Sequence, residues 1–343
     1  MSSFVVALMG AGPLGLWTAA ALATDPASTD VHIRMGNTRG QPPAWVPPAV
    51  QRASDQGRLS WHAFNALNAD SVRSFAQGSD AIVHSAIPQY HEWLSQLPII
   101  QSNAIAAGLA CGARLICADN LYAYEAPISG PLTEQTREIP PSKKGQLRKN
   151  VLDMMRIAQR EQALQWATVQ GSQYFGPGAS RQSVFGDRFI GPTLQNKPVR
   201  FVGNPHLPHA WAYAPDFGRA LALLALTDRT DLLDRSWILP HVSDLPALEL
   251  ATALFDEMER QDLLPANSFR KALAVPTWLL KVMGWFNPVV KAREEILYQF
   301  NMPFIASGAQ LTAATGLTAT PVETAVQETV AFWKANRTTC HGR

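Results

Sequence analysis

The stretch FVVALMGAGPLGLWTAAALAT, residues 4–24, decides the fold of this chain. It begins with a compact apolar run over residues 4–9, continues through a glycine-rich turn, and ends in an alanine-rich segment over residues 16–24. An apolar run of this length, followed by glycines and a helix-forming segment, is typical of a buried strand, a tight turn and a helix. A second short strand is predicted at residues 31–35, so the chain opens with a strand-turn-helix-strand unit.

The glycine turn has the spacing GxGxxG, with Gly10, Gly12 and Gly15 at its three fixed positions. In such turns the first glycine permits the tight bend, the second lets a pyrophosphate approach the backbone, and the third lets the helix pack on the strand. The positive end of the helix then faces the phosphates. Because this turn follows a strand and opens a helix, we predict a dinucleotide site formed by residues 10–15, including Pro13 and Leu14. The alternative is a glycine turn that serves packing alone.

The end of the second strand indicates which dinucleotide is preferred. NAD-selective sites place an acidic residue there to hold the adenosine ribose, whereas an arginine accepts the 2′-phosphate of NADP. Residues 31–40 contain no acid and offer Arg34, Asn37, Thr38 and Arg39. We therefore expect NADP(H) to be preferred over NAD(H), with Arg39 as the phosphate partner and Asn37 and Thr38 as hydrogen-bonding neighbours. The alternative is that these are solvated loop residues.

Strands and helices alternate through the first half of the chain. Further buried strands are predicted at residues 80–86, 114–118 and 166–170, with helices around residues 99–112 and 143–165. This alternation predicts an α/β fold with a Rossmann-type, doubly wound parallel sheet.

The regular alternation fades beyond residue 178. We expect a dinucleotide-binding domain over residues 1–178, rejoined by residues 213–240, and a smaller, mostly helical, substrate-binding lobe over residues 179–343. Three aromatic residues of this lobe, Trp278, Trp285 and Phe286, either line an apolar substrate pocket or fill the core.

The composition indicates which classes of binding partner to expect. The chain has 343 residues, of which 47% are hydrophobic and 16% charged, so it can bury a substantial core. Its 29 basic and 27 acidic residues give a formal charge of +2, without the one-sided field that attracts nucleic acid or a membrane surface. We expect a small-molecule substrate, no nucleic-acid or membrane partner, and a monomer or homodimer.

The cysteines and the chain start favour a cytoplasmic protein. Cys111, Cys117 and Cys340 are too few and too irregularly spaced for a disulfide framework. The apolar start lacks a basic leader, and no apolar run approaches the ~20 residues of a membrane span. His206 and His209 do not have the spacing of helical zinc ligands, so we expect no metal site.

Several landmarks beyond the glycine turn carry a resemblance to a known family. In chain order they are the strand Asp80–Ala86, the segment DNLYAY at residues 119–124, the helix after SKK at residues 142–144, the turn YFGPG at residues 174–178, and YAPD at residues 213–216. Together they resemble the extended and atypical short-chain dehydrogenase/reductases, the NAD-dependent epimerase/dehydratase-like proteins. In that family the carboxyl ends of the strands face the cofactor. The resemblance therefore implies cofactor contacts at Ser85, Ala86, Ile87, Asn120, Lys144, Tyr174 and Phe175.

The resemblance also implies catalytic residues, with one departure. The family uses a Ser or Thr, then a Tyr and a Lys spaced YxxxK. Lys144 matches the lysine, Asn120 stands at the Ser/Thr position, and Pro140 replaces the tyrosine. The run KGQLRK, residues 144–149, is similar to a lysine motif of isoflavone and phenylcoumaran reductases, which also lack the tyrosine. By that resemblance Lys144 orients the nicotinamide ribose and assists proton transfer. The alternative is that Tyr122 or Tyr124 supplies the proton instead.

The neighbouring basic residues Lys143, Arg148 and Lys149 are expected on a solvated helix face. His84 and His91 are candidate acid-base groups, against the commoner alternative of structural histidines. The sequence thus predicts an NADP(H)-dependent reductase or dehydrogenase acting on a small, fairly apolar carbonyl, imine or activated alkene. Two alternatives stay open, a nucleotide-sugar epimerase or dehydratase that retains its NAD(P), and a non-catalytic NADP-sensing regulator.

Overall fold

The computed structural model describes residues 3–26, 30–127, 130–180, 182–265, 270–275 and 294–336. The predictions made for Trp278, Trp285, Phe286 and Cys340 lie outside these ranges. The described strands, in chain order, are β1 (Phe4–Met9), β2 (Val31–Asn37), β3 (Leu59–Ala63), β4 (Ala81–His84), β5 (Arg114–Asn120), β6 (Trp166–Gly171), β7 (Gln173–Phe175), β8 (Val199–Val202), β9 (Trp211–Tyr213), β10 (Arg235–Ile238) and β11 (Ala272–Val275).

The described helices follow the same numbering. They are α1 (Pro13–Thr24), α2 (Pro48–Asp55), α3 (Ala69–Ala76), α4 (Trp93–Cys111), α5 (Lys143–Gln162), α6 (Asp187–Leu194), α7 (Ala214–Leu226), α8 (Ala247–Arg260), α9 (Ala309–Thr315) and α10 (Val322–Ala335). None of these described helices is long and apolar enough to cross a membrane.

The chain divides into two compact units. The first comprises residues 1–124, 138–170 and 215–239, and the second comprises residues 125–137, 171–214 and 240–343. The chain therefore leaves the first unit at Gln170, before the expected boundary at residue 178. It also makes an excursion at residues 125–137 that no sequence feature marked.

The first unit is built on a seven-stranded sheet in the order β10-β6-β5-β4-β1-β2-β3. Strand β1 pairs in parallel with β2 on one side and with β4 on the other. Strands β1 to β3 therefore run in order towards one edge of the sheet and β4 to β6 towards the other, so the strand order reverses at the boundary between β1 and β4. This is the strand order of a doubly wound sheet, whose ligands bind outside the carboxyl ends of the strands at that reversal. The predicted Rossmann-type fold class is confirmed.

Local sequence explains where the helices of this unit begin and end. Proline occupies the first turn of α1 and of α2, where a missing backbone N–H costs nothing. The side chains of Asn68 and Ser142 accept hydrogen bonds from backbone N–H groups at the starts of α3 and α5. Gly112, in the left-handed conformation, ends α4.

The second unit contains two short two-stranded sheets, β11-β8 and β7-β9, and the helices α6, α8, α9 and α10. Its core is rich in aromatic side chains, including Phe175, Phe185, Phe189, Trp211 and Trp333. Their rings pack in edge-to-face and stacked pairs, as apolar rings do in protein interiors.

Candidate cofactor and active site

At two of the three glycines in the turn between β1 and α1 there is no room for a side chain. Gly10 has a φ of +117°, and a Cβ there would lie 2.8 Å from the backbone nitrogen of Ala86. A Cβ on Gly15 would lie 2.0 Å from the carbonyl oxygen of Gly10. No side chain larger than hydrogen fits at either position, which explains why both are glycine.

The middle glycine behaves differently. A Cβ on Gly12 would meet no atom of the described residues within 4 Å. Gly12 is the N-cap of α1, and Pro13 follows it. Because glycine has no side chain, no side-chain oxygen of the cap residue accepts a hydrogen bond from the helix start. The first backbone N–H groups of the helix, at Leu14 and Gly15, have no partner within the helix. An open position beside free donors at a positive helix end suits a phosphate group.

The segment after β4 borders this turn. The backbone N–H of Ser85 donates to the carbonyl oxygen of Met9 over 2.9 Å, and its hydroxyl donates to that of Gly10 over 3.3 Å. Ala86 supplies the backbone that Gly10 approaches, and Ile87 is exposed. The structure therefore brings residues 85–87 together with the glycine turn.

The end of β2 forms a tight polar turn. The side-chain oxygen of Asn37 accepts from the backbone N–H groups of Arg39 and Gly40, over 2.9 Å and 2.8 Å, and its amide donates to the carbonyl of Gln41. Thr38 and Arg39 are exposed. Asn37 thus shapes the loop, and the loop presents the Arg39 guanidinium to solvent.

Arg34 has a structural role instead. Its guanidinium donates to the carbonyl oxygens of Phe75 and Gln77, over 2.7 Å and 2.8 Å, at the carboxyl end of α3. It thereby satisfies carbonyl groups that have no partner within the helix. A cofactor contact by Arg34 stays a prediction that this geometry does not support.

Two aromatic rings leave no room for a side chain at Gly36, near the end of β2. A Cβ on Gly36 would lie 2.6 Å from the ring of Phe75 and 2.7 Å from that of Phe64, and these rings stack with centroids 4.6 Å apart. Any side chain at residue 36 would collide with them. Sequence analysis missed this pair because the rings belong to segments 28 and 39 residues further along the chain.

Lys144 lies in the first turn of α5 and is only 3% exposed. Its Nζ is 4.6 Å from the centroid of the Tyr90 ring. The next residue, Gly145, lets α5 pack closely on the turn after β5, since a Cβ there would lie 2.4 Å from the carbonyl oxygen of Tyr122. The side chain of Asn120 accepts from the backbone N–H of Tyr122 over 3.0 Å. Asn120 and Tyr122 therefore lie at the end of β5, where the start of α5 packs on them through Gly145, the neighbour of Lys144.

Tyr124 is placed differently. It is 1% exposed, and its hydroxyl donates to the side-chain oxygen of Gln170 over 2.6 Å. This contact ties the end of β5 to the end of β6. A hydroxyl held in this way positions the two strand ends, so a proton supplied by Tyr124 stays a prediction that this geometry does not support.

A buried ion pair lies beneath these residues. Asp119 Oδ1 and an Arg148 nitrogen are 3.0 Å apart, and Arg148 is 5% exposed with its guanidinium carbon 4.4 Å from the centroid of the Trp93 ring. The prediction of a solvated helix face is wrong for Arg148, because helix α5 turns this side chain inward onto a carboxylate that sequence analysis did not single out. Lys143 is exposed as expected.

Burial is the largest cause of the pKa shifts of Asp119 and His84 in this cluster. Burial raises the pKa of Asp119, while the Arg148 guanidinium acts in the opposite direction. Burial lowers the pKa of His84 to about 4, and Arg148 adds to that effect. Among the described residues, His84 Nδ1, Asp119 Oδ2 and Arg148 Nε have no hydrogen-bond partner. Buried polar atoms of this kind are usually satisfied by ordered water or by a ligand.

Two predicted contacts lie in the second unit. Tyr174 donates its hydroxyl to the Gln182 side chain over 2.9 Å, and burial raises its pKa. Phe175 is fully buried in the aromatic core. Cofactor contacts by these two residues stay predictions. Among the described residues, no group of three or more His, Cys, Asp or Glu side chains is arranged to hold a metal ion.

Comparison with known proteins supports the fold. No family model matches the sequence, and no curated protein matches it. Solved structures with the same fold include a dTDP-glucose 4,6-dehydratase double mutant from Streptomyces venezuelae with NAD bound, at 15% identity, a TM-score of 0.73 and 98% coverage of both chains. A UDP-glucuronic acid 4-epimerase from Bacillus cereus in complex with NAD matches at 15% identity, a TM-score of 0.73 and 96% coverage of both chains.

An epimerase from Methanothermobacter thermautotrophicus matches with a TM-score of 0.75 and 12% identity, over 99% of this chain and 94% of its own. The fold and the glycine turn thus define a Rossmann-type α/β protein. More particularly, the chain has the fold seen in these dehydratase and epimerase structures.

Proposed function

We propose that this protein is a nicotinamide-dinucleotide-dependent oxidoreductase that prefers NADP(H). Its substrate is a small, fairly apolar carbonyl, imine or activated alkene. The observation that carries the proposal is Gly12. A side chain would fit at this glycine, whereas none fits at Gly10 or Gly15. Gly12 also lies at the start of α1, where no side chain caps the helix. The dehydratase from Streptomyces venezuelae and the epimerase from Bacillus cereus, which share this fold, contain NAD, and this supports a nicotinamide cofactor.

The preference for the phosphorylated cofactor rests on the end of β2. The Phe64 and Phe75 rings leave no room for a ribose-binding acid at Gly36, and Arg39 extends into solvent from the turn that Asn37 shapes. A guanidinium there would pair with the 2′-phosphate of NADP through charge-assisted hydrogen bonds.

The chemistry rests on residues at the ends of β5 and α5. A bound nicotinamide supplies or accepts the hydride. Lys144 would hold the nicotinamide ribose, and the Asn120 amide group would donate to a substrate oxygen. Leu147 and Arg148 are buried together with Lys144 on the inward face of α5.

The preference for NADP(H) is tested by thermal unfolding with each cofactor. Ligand binding raises stability by about 2.7 kcal/mol at 100 times the Kd. We expect a larger rise in Tm with NADPH than with NADH at equal concentration. Arg39→Ala should remove that difference while leaving the NADH shift in place, and Arg160→Ala, an exposed arginine on α5, should leave both shifts unchanged. Equal shifts in the unmodified protein would refute the NADP(H) preference.

A second function is favoured by the names of the structural neighbours. An epimerase or dehydratase that retains its NAD(P) while acting on a nucleotide-sugar would copurify with oxidised cofactor that dialysis does not remove. Pro140 argues against it, because sugar oxidation needs a base at the hydroxyl where this chain has a proline. NADPH oxidation with apolar carbonyls, imines or activated alkenes favours the reductase. Binding without turnover across that panel favours an NADP-sensing regulator.

A further inference from the structure

The exposed imidazole of His62 is carried by a strand end that adjoins the Arg39 loop. His62 lies near the end of β3 and is in register with Gly36 on β2. The loop after β2 packs against the end of β3, because a Cβ on Gly40 would lie 2.7 Å from the backbone nitrogen of Ala63. Arg39 and His62 each directly precede one of these two touching residues. Two exposed basic side chains are thus borne by adjoining stretches of backbone.

This placement is fixed by backbone hydrogen bonds. The N–H of Phe64, just after β3, donates to the carbonyl oxygen of Asn37 over 2.9 Å. The side chain of Asn37 in turn accepts from the N–H groups of Arg39 and Gly40. The position of the loop relative to β3 therefore does not depend on long, mobile side chains.

The His62 ring itself is held on one side. Its Nε2 lies 2.8 Å from Ser60 Oγ, and its ring packs edge-on against Phe75 with centroids 6.2 Å apart. Ser60 Oγ also lies 3.0 Å from His32 Nε2. A hydroxyl can donate to one imidazole and accept from the other, so both contacts form at once. Because Nε2 faces Ser60, Nδ1 is the nitrogen of His62 that can meet a ligand.

The charged groups that act on His62 are all basic. Burial is the largest cause that lowers the pKa of His62, and Arg34 and His32 on β2 lower it further. Helix α3 contributes the uncharged Phe75 ring, and the adjoining loop contributes Arg39. In the free protein His62 is therefore uncharged at about pH 7.5, and a bound anion would favour its protonation.

We propose that His62 is a second ligand of the 2′-phosphate of NADP(H), beside Arg39. The proposal rests on the proposed function and adds a residue that determines the choice of cofactor. The oxygens of a phosphate can accept from a guanidinium and from an imidazole N–H together. Because the Phe64 and Phe75 rings exclude any side chain at Gly36, no carboxylate extends from that position to repel the phosphate.

A protonation change accompanies this contact. A phosphate beside His62 raises the pKa of the imidazole, so NADPH binding takes up a proton there. NADPH affinity should consequently rise as the pH falls from about 8 to about 7. NADH has no 2′-phosphate and should leave the pKa of His62 unchanged. Comparing the two cofactors thus separates the phosphate contact from effects of dinucleotide binding in general.

The test is an NMR titration of the histidine ring nitrogens, on the intact protein alone and saturated with NADP⁺ or NAD⁺. The chain has 8 histidines, and the signals lost in His62→Gln identify His62. We expect the pKa of His62 to be at least about one unit higher with NADP⁺ than with NAD⁺. The same pKa with both cofactors overturns the proposal.

Calorimetric titration supplies the second measurement. His62→Gln should weaken NADPH binding about fivefold and leave NADH binding unchanged. His206→Gln, at an exposed histidine of the second unit, should change neither. In an Arg39→Ala background, His62→Gln should have no further effect, because the two side chains share one phosphate.

Two results of this titration overturn the proposal. One is unchanged NADPH affinity in His62→Gln, and the other is equal weakening of NADPH and NADH, which would assign His62 to a part common to both cofactors. If NADPH is preferred and His62→Gln keeps the full preference, the proposed function stands and His62 has no part in it. If the unmodified protein binds neither cofactor, the proposed function fails and this proposal fails with it.

Discussion

Arg148 is the residue whose role differs most from its appearance in sequence. A basic residue in the run KGQLRK is ordinarily solvated, yet helix α5 directs it onto Asp119 and Trp93 inside the first unit. Nothing local in the sequence distinguishes it from Lys149, because the carboxylate it meets is on a strand 29 residues earlier. The glycine turn, by contrast, was predictable from the local spacing of its glycines between a strand and a helix, although Gly10 also approaches Ala86, 76 residues further along the chain.

Removing Arg148 should destabilise the protein strongly. Arg148→Met retains much of the side-chain volume but leaves the Asp119 carboxylate buried and unpaired, which typically costs about 3–5 kcal/mol. Urea unfolding measures the loss, and Arg160→Met on the exposed face of α5 is the control. The double variant Asp119→Asn with Arg148→Met should recover part of the loss. A change below about 1 kcal/mol in the single variant would show that the pair carries no net charge interaction.

His84 should make stability depend on pH. Its pKa is lowered from 6.5 to about 4, so the unfolded chain takes up a proton below pH 6.5 while the folded chain does not. Stability is therefore lost as pH falls from 6.5 towards 4, by about 2 kcal/mol between pH 7 and pH 5. Burial lowers the pKa of His209 to about 4 and that of His241 to about 3, so they add losses of the same sign.

The measurement is the free energy of unfolding in urea at about pH 7 and about pH 5. His84→Gln should reduce the difference between the two pH values, and His206→Gln, at an exposed histidine, should not. If His84→Gln leaves the difference intact, the imidazole is not held neutral by burial.

At the scale of elements, the strand-helix alternation predicted five of the seven strands of the central sheet, all but β3 and β10. The largest difference is α4, expected from about residue 99 and observed from Trp93. Pro98 obscured its start, because proline usually ends helices. Here it removes only a hydrogen bond to residue 94 in the first turns, so the helix continues through it. The excursion at residues 125–137 was not predictable, because its partners lie in distant segments.

The junction of β5 and α5 depends on Gly145. A Cβ there would lie 2.4 Å from the Tyr122 carbonyl oxygen and 2.5 Å from Pro140 Cβ, so the start of the helix would have to move away. We expect Gly145→Ala to lower unfolding stability by about 1–3 kcal/mol despite alanine's better helix propensity.

The matched control for Gly145 is Gly191→Ala in α6, where a Cβ meets no described atom within 4 Å. That substitution should leave stability unchanged or raise it slightly. Equal effects of the two substitutions in urea unfolding would contradict the close approach of α5 to the turn after β5.

At the scale of the whole molecule, the Rossmann-type sheet follows from local strand-helix patterns that recur along the first unit, whereas the second unit does not follow from such patterns. The buried contacts of Arg148 with Asp119 and Trp93 form only when α4 and α5 pack on the sheet. A contact that spans 55 residues between Trp93 and Arg148 has no signature in a single sequence.

The proposed binding of a nicotinamide dinucleotide by the glycine turn can be tested at Gly12. Because a Cβ at Gly12 meets no described atom within 4 Å, Gly12→Ala should leave the Tm of the free protein unchanged. It should nevertheless weaken NADPH binding, followed by titration calorimetry, at least tenfold, or about 1.4 kcal/mol. Gly191→Ala should bind as the unmodified protein does. Equal NADPH affinity in Gly12→Ala and the unmodified protein would contradict a dinucleotide site at the glycine turn. So would the absence of NADPH and NADH binding by the unmodified protein.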